Sequence, residues 1–229
     1  LTLLLRTQHV DRPHAQIRVE ASSLWVLIVQ VPDVPPPITV EVAVDGQRVW
    51  WPALVHSFSC LMIGFGVIGV SILTSLSVGD RFDVDAVGRG LVIMCGGLTA
   101  FILARPVGRL ADKVGARTVL LASTATVALS LLLVPLVPHP ALVAACWALA
   151  ILSVQGLQMC INLAVLRAPG GVSLLSTVQA FRFYGSSIPP LVLLPVYLQA
   201  ANWAFWIPAA AMVGVLVLQA ANPTWRTST

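Results

Sequence analysis

Three amide side chains, Gln155, Gln158 and Asn162, stand at offsets of three and seven in an otherwise apolar stretch. On a helix that spacing puts all three on one face. Amides in an apolar medium need partners. This face therefore meets either another helix, with the amides bridging the two, or a wet cavity in which they contact a solute. A second constellation follows downstream. Gln179 precedes Arg182 by three residues and Ser186 follows it by four, so the three share much the same face. Arg182 is the only basic residue well inside an apolar run, roughly 15 Å along it at helical rise. A guanidinium at that depth binds an anionic group of a solute, pairs with a carboxylate of another body, or snorkels to the interface.

Other chemistry is missing. No Asp or Glu falls within the long apolar runs, so the usual intramembrane proton carrier is not supplied here. There is no HExxH, no pair of carboxylates and no Ser/His/Asp set at depth, which argues against an enzyme. Cys60, Cys95, Cys146 and Cys160 all lie in apolar runs without a CxxC pair, and read as small packing residues. His9, His14, His56 and His139 are scattered, so neither a metal nor a cofactor is expected. His56, at the mouth of the first apolar run, reads as interfacial.

The elements that position these residues follow from composition. Of the 229 residues, 58% are hydrophobic and 10% charged, where soluble domains carry roughly 25% charge. The net charge of +4 follows the gaps between apolar runs and has no basic cluster with interleaved aromatics, so nucleic acid is not an expected partner. Six apolar spans are expected, at residues 52–76, 87–104, 118–137, 141–166, 172–198 and 202–221. Each is about as long as a helix needs to cross a bilayer. Trp50-Trp51 and Trp225 read as interfacial anchors. Pro189-Pro190 and Pro195 should bend the fifth span, either as a gating kink or as tolerated prolines. Gly64, Gly66, Gly69, Gly96 and Gly97 allow close helix approach.

The remainder is polar. Residues 1–49 read as a hydrophilic cytoplasmic linker or tail, with a possible small hairpin: Ile38–Val44 alternates, Asp45-Gly46 is a turn signal, and Gln47–Trp51 would pair back. Residues 50–222 form the helical bundle and 223–229 a cytoplasmic tail. The chain begins with Leu, and Leu1–Leu5 is too short for a signal peptide, as a fragment or a non-standard start would give. Arg48, Arg105, Arg109, Lys113, Arg117, Arg167 and Arg226 fall on one side of the six-span arrangement, and only Arg81 and Arg89 on the other. The positive-inside rule then places both termini in the cytoplasm of a multi-pass cell-membrane protein.

The second-to-third gap reads Gly108-Arg-Leu-Ala-Asp-Lys-Val-Gly-Ala-Arg117. Gly108, Asp112, Lys113, Gly115 and Arg117 resemble the signature loop of the major facilitator superfamily. Ala116 departs from it, standing where a second basic residue is common. Ala180-Phe-Arg-Phe-Tyr-Gly185 in the fifth span is similar to a stretch of that family's eleventh helix, and the hydrophilic segment ahead of the first span is similar to the linker between its halves. The resemblance covers about residues 50–222 and is to the C-terminal half, helices seven to twelve.

What the resemblance implies is a fold and a job. The fold is an all-α membrane protein of six transmembrane helices in a three-plus-three repeat, half of a twelve-helix bundle. The job is uptake or efflux of a small solute by alternating access, partnered by an N-terminal six-helix half or a second copy. In such a bundle the first and fourth spans line the pathway. Gln155, Gln158, Asn162, Gln179, Arg182 and Ser186 are then the pathway candidates. The alternatives are a six-span scaffold without transport activity, which the lack of an intramembrane acid favours, and a non-functional transporter fragment.

Overall fold

Long apolar runs leave the backbone no partner but itself, and the chain answers with helices throughout. The computed structural model describes residues 47–168 and 170–222, all within one compact unit. Among them are eight α-helices, one π-helical turn and no strand. They are α1 (Gln47–Ile63), the π turn (Gly64–Ile68), α2 (Ser71–Phe82), α3 (Ala86–Val114), α4 (Ala116–Leu133), α5 (Pro140–Arg167), α6 (Gly171–Ser187), α7 (Pro189–Gln199) and α8 (Trp203–Ala221).

Five helical runs are long and apolar enough to cross a membrane: Trp51–Phe82, Ala86–Val114, Ala116–Leu133, Pro140–Arg167 and Trp203–Ala221. Their length and composition are compatible with a membrane protein. The fifth expected span is not one helix. It breaks at Ile188, where Pro189 starts α7, leaving pieces of 17 and 11 residues. Proline lacks the N–H that would continue the ladder, so the expected bend becomes a restart.

Two other boundaries differ from expectation. The first run continues through Leu76 to Phe82, so Asp80 and Arg81 belong to the last turn of α2 rather than to a gap. The second does not stop at Ala104. Arg105, Arg109, Asp112 and Lys113 lie in helix up to Val114, because Leu110 and Ala111 are strong helix formers and Pro106 does not interrupt the helix. Gln47–Trp51, read as a possible return strand, is instead the start of α1. The rest of that hairpin, the linker before it and the tail with Trp225 and Arg226 lie outside the described residues.

The core is built around α5, which packs on α3 and α4, while α1 packs on α6 and α8, and α4 on α8. Trp147, Leu157 and Ile161 of α5 are fully buried, as are Ile63 and Val67 of the first run and Phe205 and Met212 of α8. Outward faces remain apolar: Phe101, Leu191 and Leu198 are each more than three-quarters exposed. A protein that buries its apolar face in lipid has no need to hide these side chains.

Polar ties fasten both ends. At one end Tyr197 Oη donates to Asp80 Oδ2 at 2.8 Å, and Arg81 donates to the carbonyls of Val134 (3.0 Å) and Val137 (2.7 Å). At the other, Arg117 donates to the Ala220 carbonyl at 3.1 Å, holding the start of α4 against the end of α8.

Candidate solute-binding cluster between α1, α5 and α6

Gln158 and Asn162 of α5 and Gln179 of α6 converge on a single acceptor. Gln158 Nε2 donates to Asn162 Oδ1 at 3.1 Å, and Gln179 Nε2 donates to the same oxygen in a shorter contact. Gln158 Nε2 also lies 3.8 Å from Cys60 Sγ of α1. Three helices thus meet through amides. The i, i+4 spacing of Gln158 and Asn162 makes their contact possible, and the packing of α6 on α5 brings in Gln179.

Arg182 stands one turn beyond Gln179. Its guanidinium lies 5.1 Å from the Phe183 ring, a cation–π contact, and its Nε is buried without a hydrogen-bond partner. Gln158 Oε1 is likewise buried without a donor. The cation–π contact offsets about 1 kcal/mol of charge burial, against about 3 kcal/mol for an arginine at the centre of a membrane helix. The cluster therefore keeps one donor and one acceptor unmatched by its own side chains.

Backbone proximity fixes Arg182 in place. A Cβ on Gly64 would collide with the Arg182 carbonyl oxygen, and one on Gly185 with the Leu61 carbonyl oxygen. Two glycines let α6 lie directly on the π turn, with the Arg182 guanidinium within electrostatic reach of Cys60. The π turn itself, closed by Gly69 N–H on Gly64 O at 2.9 Å, is a feature common at functional sites. Nothing in the glycine pattern distinguished it from an ordinary close approach.

Of the six pathway candidates, Gln158, Asn162 and Gln179 are bonded together, and Arg182 stands one turn along α6 from Gln179 without a bond to them. Gln155 does not join: it is exposed, one turn away on α5. Ser186 does not join either. Its hydroxyl turns back to the Phe183 carbonyl at 2.8 Å. Cys60 is the participant that reading the sequence treated only as packing.

The signature-loop residues fall into two groups. Gly108, Asp112 and Lys113 are in the last turns of α3, with Asp112 and Lys113 exposed. Gly115 alone connects α3 to α4, with φ +91° and ψ 141°, a conformation closed to residues with a Cβ. Arg117 makes the α8 tie described above.

A second polar cluster escaped the sequence reading. Gln219 Nε2 donates to Ser59 Oγ at 2.9 Å and lies 3.5 Å from His56 Nδ1. His56, expected at an interface, is buried at 3% exposure between α1 and α8. Gln219 is a single amide in an apolar run and carries no periodic signal. A cleft of about 380 Å³ between α3, α4 and α5, lined by Val107, Leu110, Thr118, Ser123 and Ser153 among others, shares no residue with either cluster.

Compared with protein-family models and with curated proteins, the sequence finds no match.

Proposed function

We propose that this chain is one half of a solute transporter of the major facilitator type, whose six crossings rock against a second half with the solute held between them. In this reading the crossings are α1 to α2, α3, α4, α5, α6 with α7, and α8, so both termini lie on one side, and the excess of Lys and Arg toward that side supports the cytoplasm of a multi-pass cell-membrane protein. The observation that carries the reading is the amide cluster with Arg182. It is a polar, incompletely matched surface in the interior of apolar helices, next to an exposed amide, Gln155. A bundle built only to stand in lipid has no use for such a surface.

The packing scheme supports the three-plus-three arrangement. Exchange of the first three crossings for the last three maps α3 on α5 to α6 on α1, maps α4 on α5 to α8 on α1, and leaves α4 on α8 unchanged. Inverted repeats related in this way are a common build of secondary transporters. The two broken crossings, at the π turn and at Ile188, lie in contact: a Cβ on Gly69 would collide with the Pro189 ring. Discontinuous helices at membrane depth are typical of transport sites.

A scaffold without transport is the second reading, favoured by the position of Asp80, Asp83, Asp85 and Asp112, all exposed at helix ends or connections. Liposome reconstitution separates the two. Purified chain should give no uptake of sugars, amino acids, organic acids or cationic dyes by itself, and should give uptake of at least one when a six-helix N-terminal half is co-reconstituted. Uptake by a demonstrated monomer would overturn the half-transporter reading. Uptake by a dimer alone would make it a homodimeric transporter, and none under any pairing would favour the scaffold.

A further inference from the structure

We infer that the solute is a small organic anion, and that Arg182 takes its charged group. The inference rests on the transport reading and deepens it. The case starts from charge. Every carboxylate among the described residues, Asp80, Asp83, Asp85 and Asp112, is exposed at a helix end or connection. Asp80 already accepts from Tyr197, and Asp112 and Asp85 sit at the ends of α3. None of them offers Arg182 an ion pair at its depth, eleven residues into α6. Among the described residues Arg182 has compensation only from the Phe183 ring face, which accepts no N–H bond in the guanidinium plane.

Its surroundings are donors rather than counter-ions. Gln158 and Gln179 both point their NH2 groups at Asn162 Oδ1, which is thereby doubly occupied, and the remaining acceptor, Gln158 Oε1, is a neutral amide oxygen that cannot balance a cation. Cys60, within electrostatic reach of the guanidinium, contributes a thiol. A neutral solute would leave the cation without a counter-charge from the described residues of this half. An anion neutralises it on binding, so its recognition is coupled to removal of a buried-charge penalty, and that coupling is what selects one charge class over another. The planar fork of arginine suits a carboxylate, sulfonate or phosphate. The residue is neither sealed nor surface-borne: Nε is buried while the side chain as a whole stays partly exposed, as an open site requires.

The test uses the full chain with all four native cysteines replaced, because Cys60 is fully buried and would not report. Two reporters are compared, Gln179→Cys and Ser186→Cys, which stand one turn to either side of Arg182 and are partly exposed. Each is labelled with an anionic methanethiosulfonate, the sulfonatoethyl reagent, and a cationic one, the trimethylammonioethyl reagent. The ratio of anionic to cationic rate at either reporter should exceed that at an exposed His139→Cys control by at least about ten-fold. Arg182→Lys should keep the preference and Arg182→Gln should abolish it. Lactate, benzoate or inorganic phosphate, at least one of the three, should slow labelling several-fold, and the uncharged propanediol and benzyl alcohol should not.

Equal rates with both reagents would overturn the inference, as would an unchanged ratio in Arg182→Gln or protection by none of the three anions. Failure of both reporters to react with either reagent would also overturn it, since a solute site must admit water. Uptake without anion preference would leave transport standing with an uncharged solute. Anion preference without uptake under any pairing would remove the transport reading and leave an anion site.

Discussion

Gly64 of the π turn and Gly185 of α6 face each other so closely that neither has room for a methyl group: each would strike the backbone of the opposite helix, at Arg182 and at Leu61. The obstructing atoms on both sides are backbone, and the approach holds the Arg182 segment of α6 against the first run. Helices in lipid gain little from burying apolar surface against one another, so backbone approach and hydrogen bonds do more of the work than in water.

Gly64→Ala and Gly185→Ala should each destabilise the fold by about 2 kcal/mol, the usual scale of overpacking, because the obstructing atoms are backbone and cannot rotate away. Gly97→Ala and Gly214→Ala, at glycines that face open space, should be neutral or slightly stabilising. Thermal unfolding in detergent checks the contrast. Equal melting temperatures for all four variants would mean that α1 and α6 do not cross at these glycines.

The amides divide into structural and accessible members. Asn162→Leu strands the Gln158 and Gln179 NH2 groups, and each buried donor left unmatched costs about 1–3 kcal/mol. That variant should lose stability. Gln155→Ala, at an exposed position, should keep stability and reduce uptake by the reconstituted two-half protein. Parallel melting and uptake measurements decide it; a Gln155→Ala variant with full uptake would remove Gln155 from the pathway.

Much of this arrangement could be read from residue types, and the part that could not has a physical reason. Apolar runs mark helices because backbone groups in hydrocarbon can pair only locally. Pro189 marks a break, and glycine in the α3–α4 connection marks a turn. Helix ends were misplaced at Phe82 and Val114 because hydropathy reports where lipid ends, and helices run on past it. Gln155, Gln158 and Asn162 share a face by angle, yet only two of them bond, since the angle does not say how far the neighbouring helix extends. Gln219 and Ser59 are brought together by two helices distant in sequence, which no local pattern encodes.

Gly115 and Asp112 should fail in different ways. Gly115→Ala places a Cβ at φ +91° and should cost about 1–3 kcal/mol, read as a lower melting temperature. Asp112→Asn should leave melting and membrane insertion nearly unchanged, because acids contribute little to orientation, yet impair transport by the complete protein if the exposed carboxylate meets a basic partner on the other half. Normal transport by Asp112→Asn would reduce the connection to a turn.

The last prediction concerns which way the chain sits. Val114 is exposed beside Lys113 at the α3–α4 connection, and Pro138 is exposed at the α4–α5 connection. The two positions lie at opposite ends of α4. Ser77, which hydropathy would place outside, is buried within α2 at 1% exposure and would not report. Lysines and arginines cluster at the Val114 end, with Arg105, Arg109, Lys113 and Arg117, while the Pro138 end has Arg81 and Arg89 beside Asp80, Asp83 and Asp85. Because translocating basic residues is disfavoured, the richer end is expected to stay cytoplasmic. In a background without native cysteines, Val114→Cys should resist a membrane-impermeant maleimide applied to intact cells and react after permeabilisation, while Pro138→Cys should react in intact cells. Reaction of both from outside would mean that α4 does not cross the bilayer, and the six-crossing arrangement would fall. The reverse pattern would keep the crossings and invert the protein, placing the amide cluster nearer the outer face than the inner one.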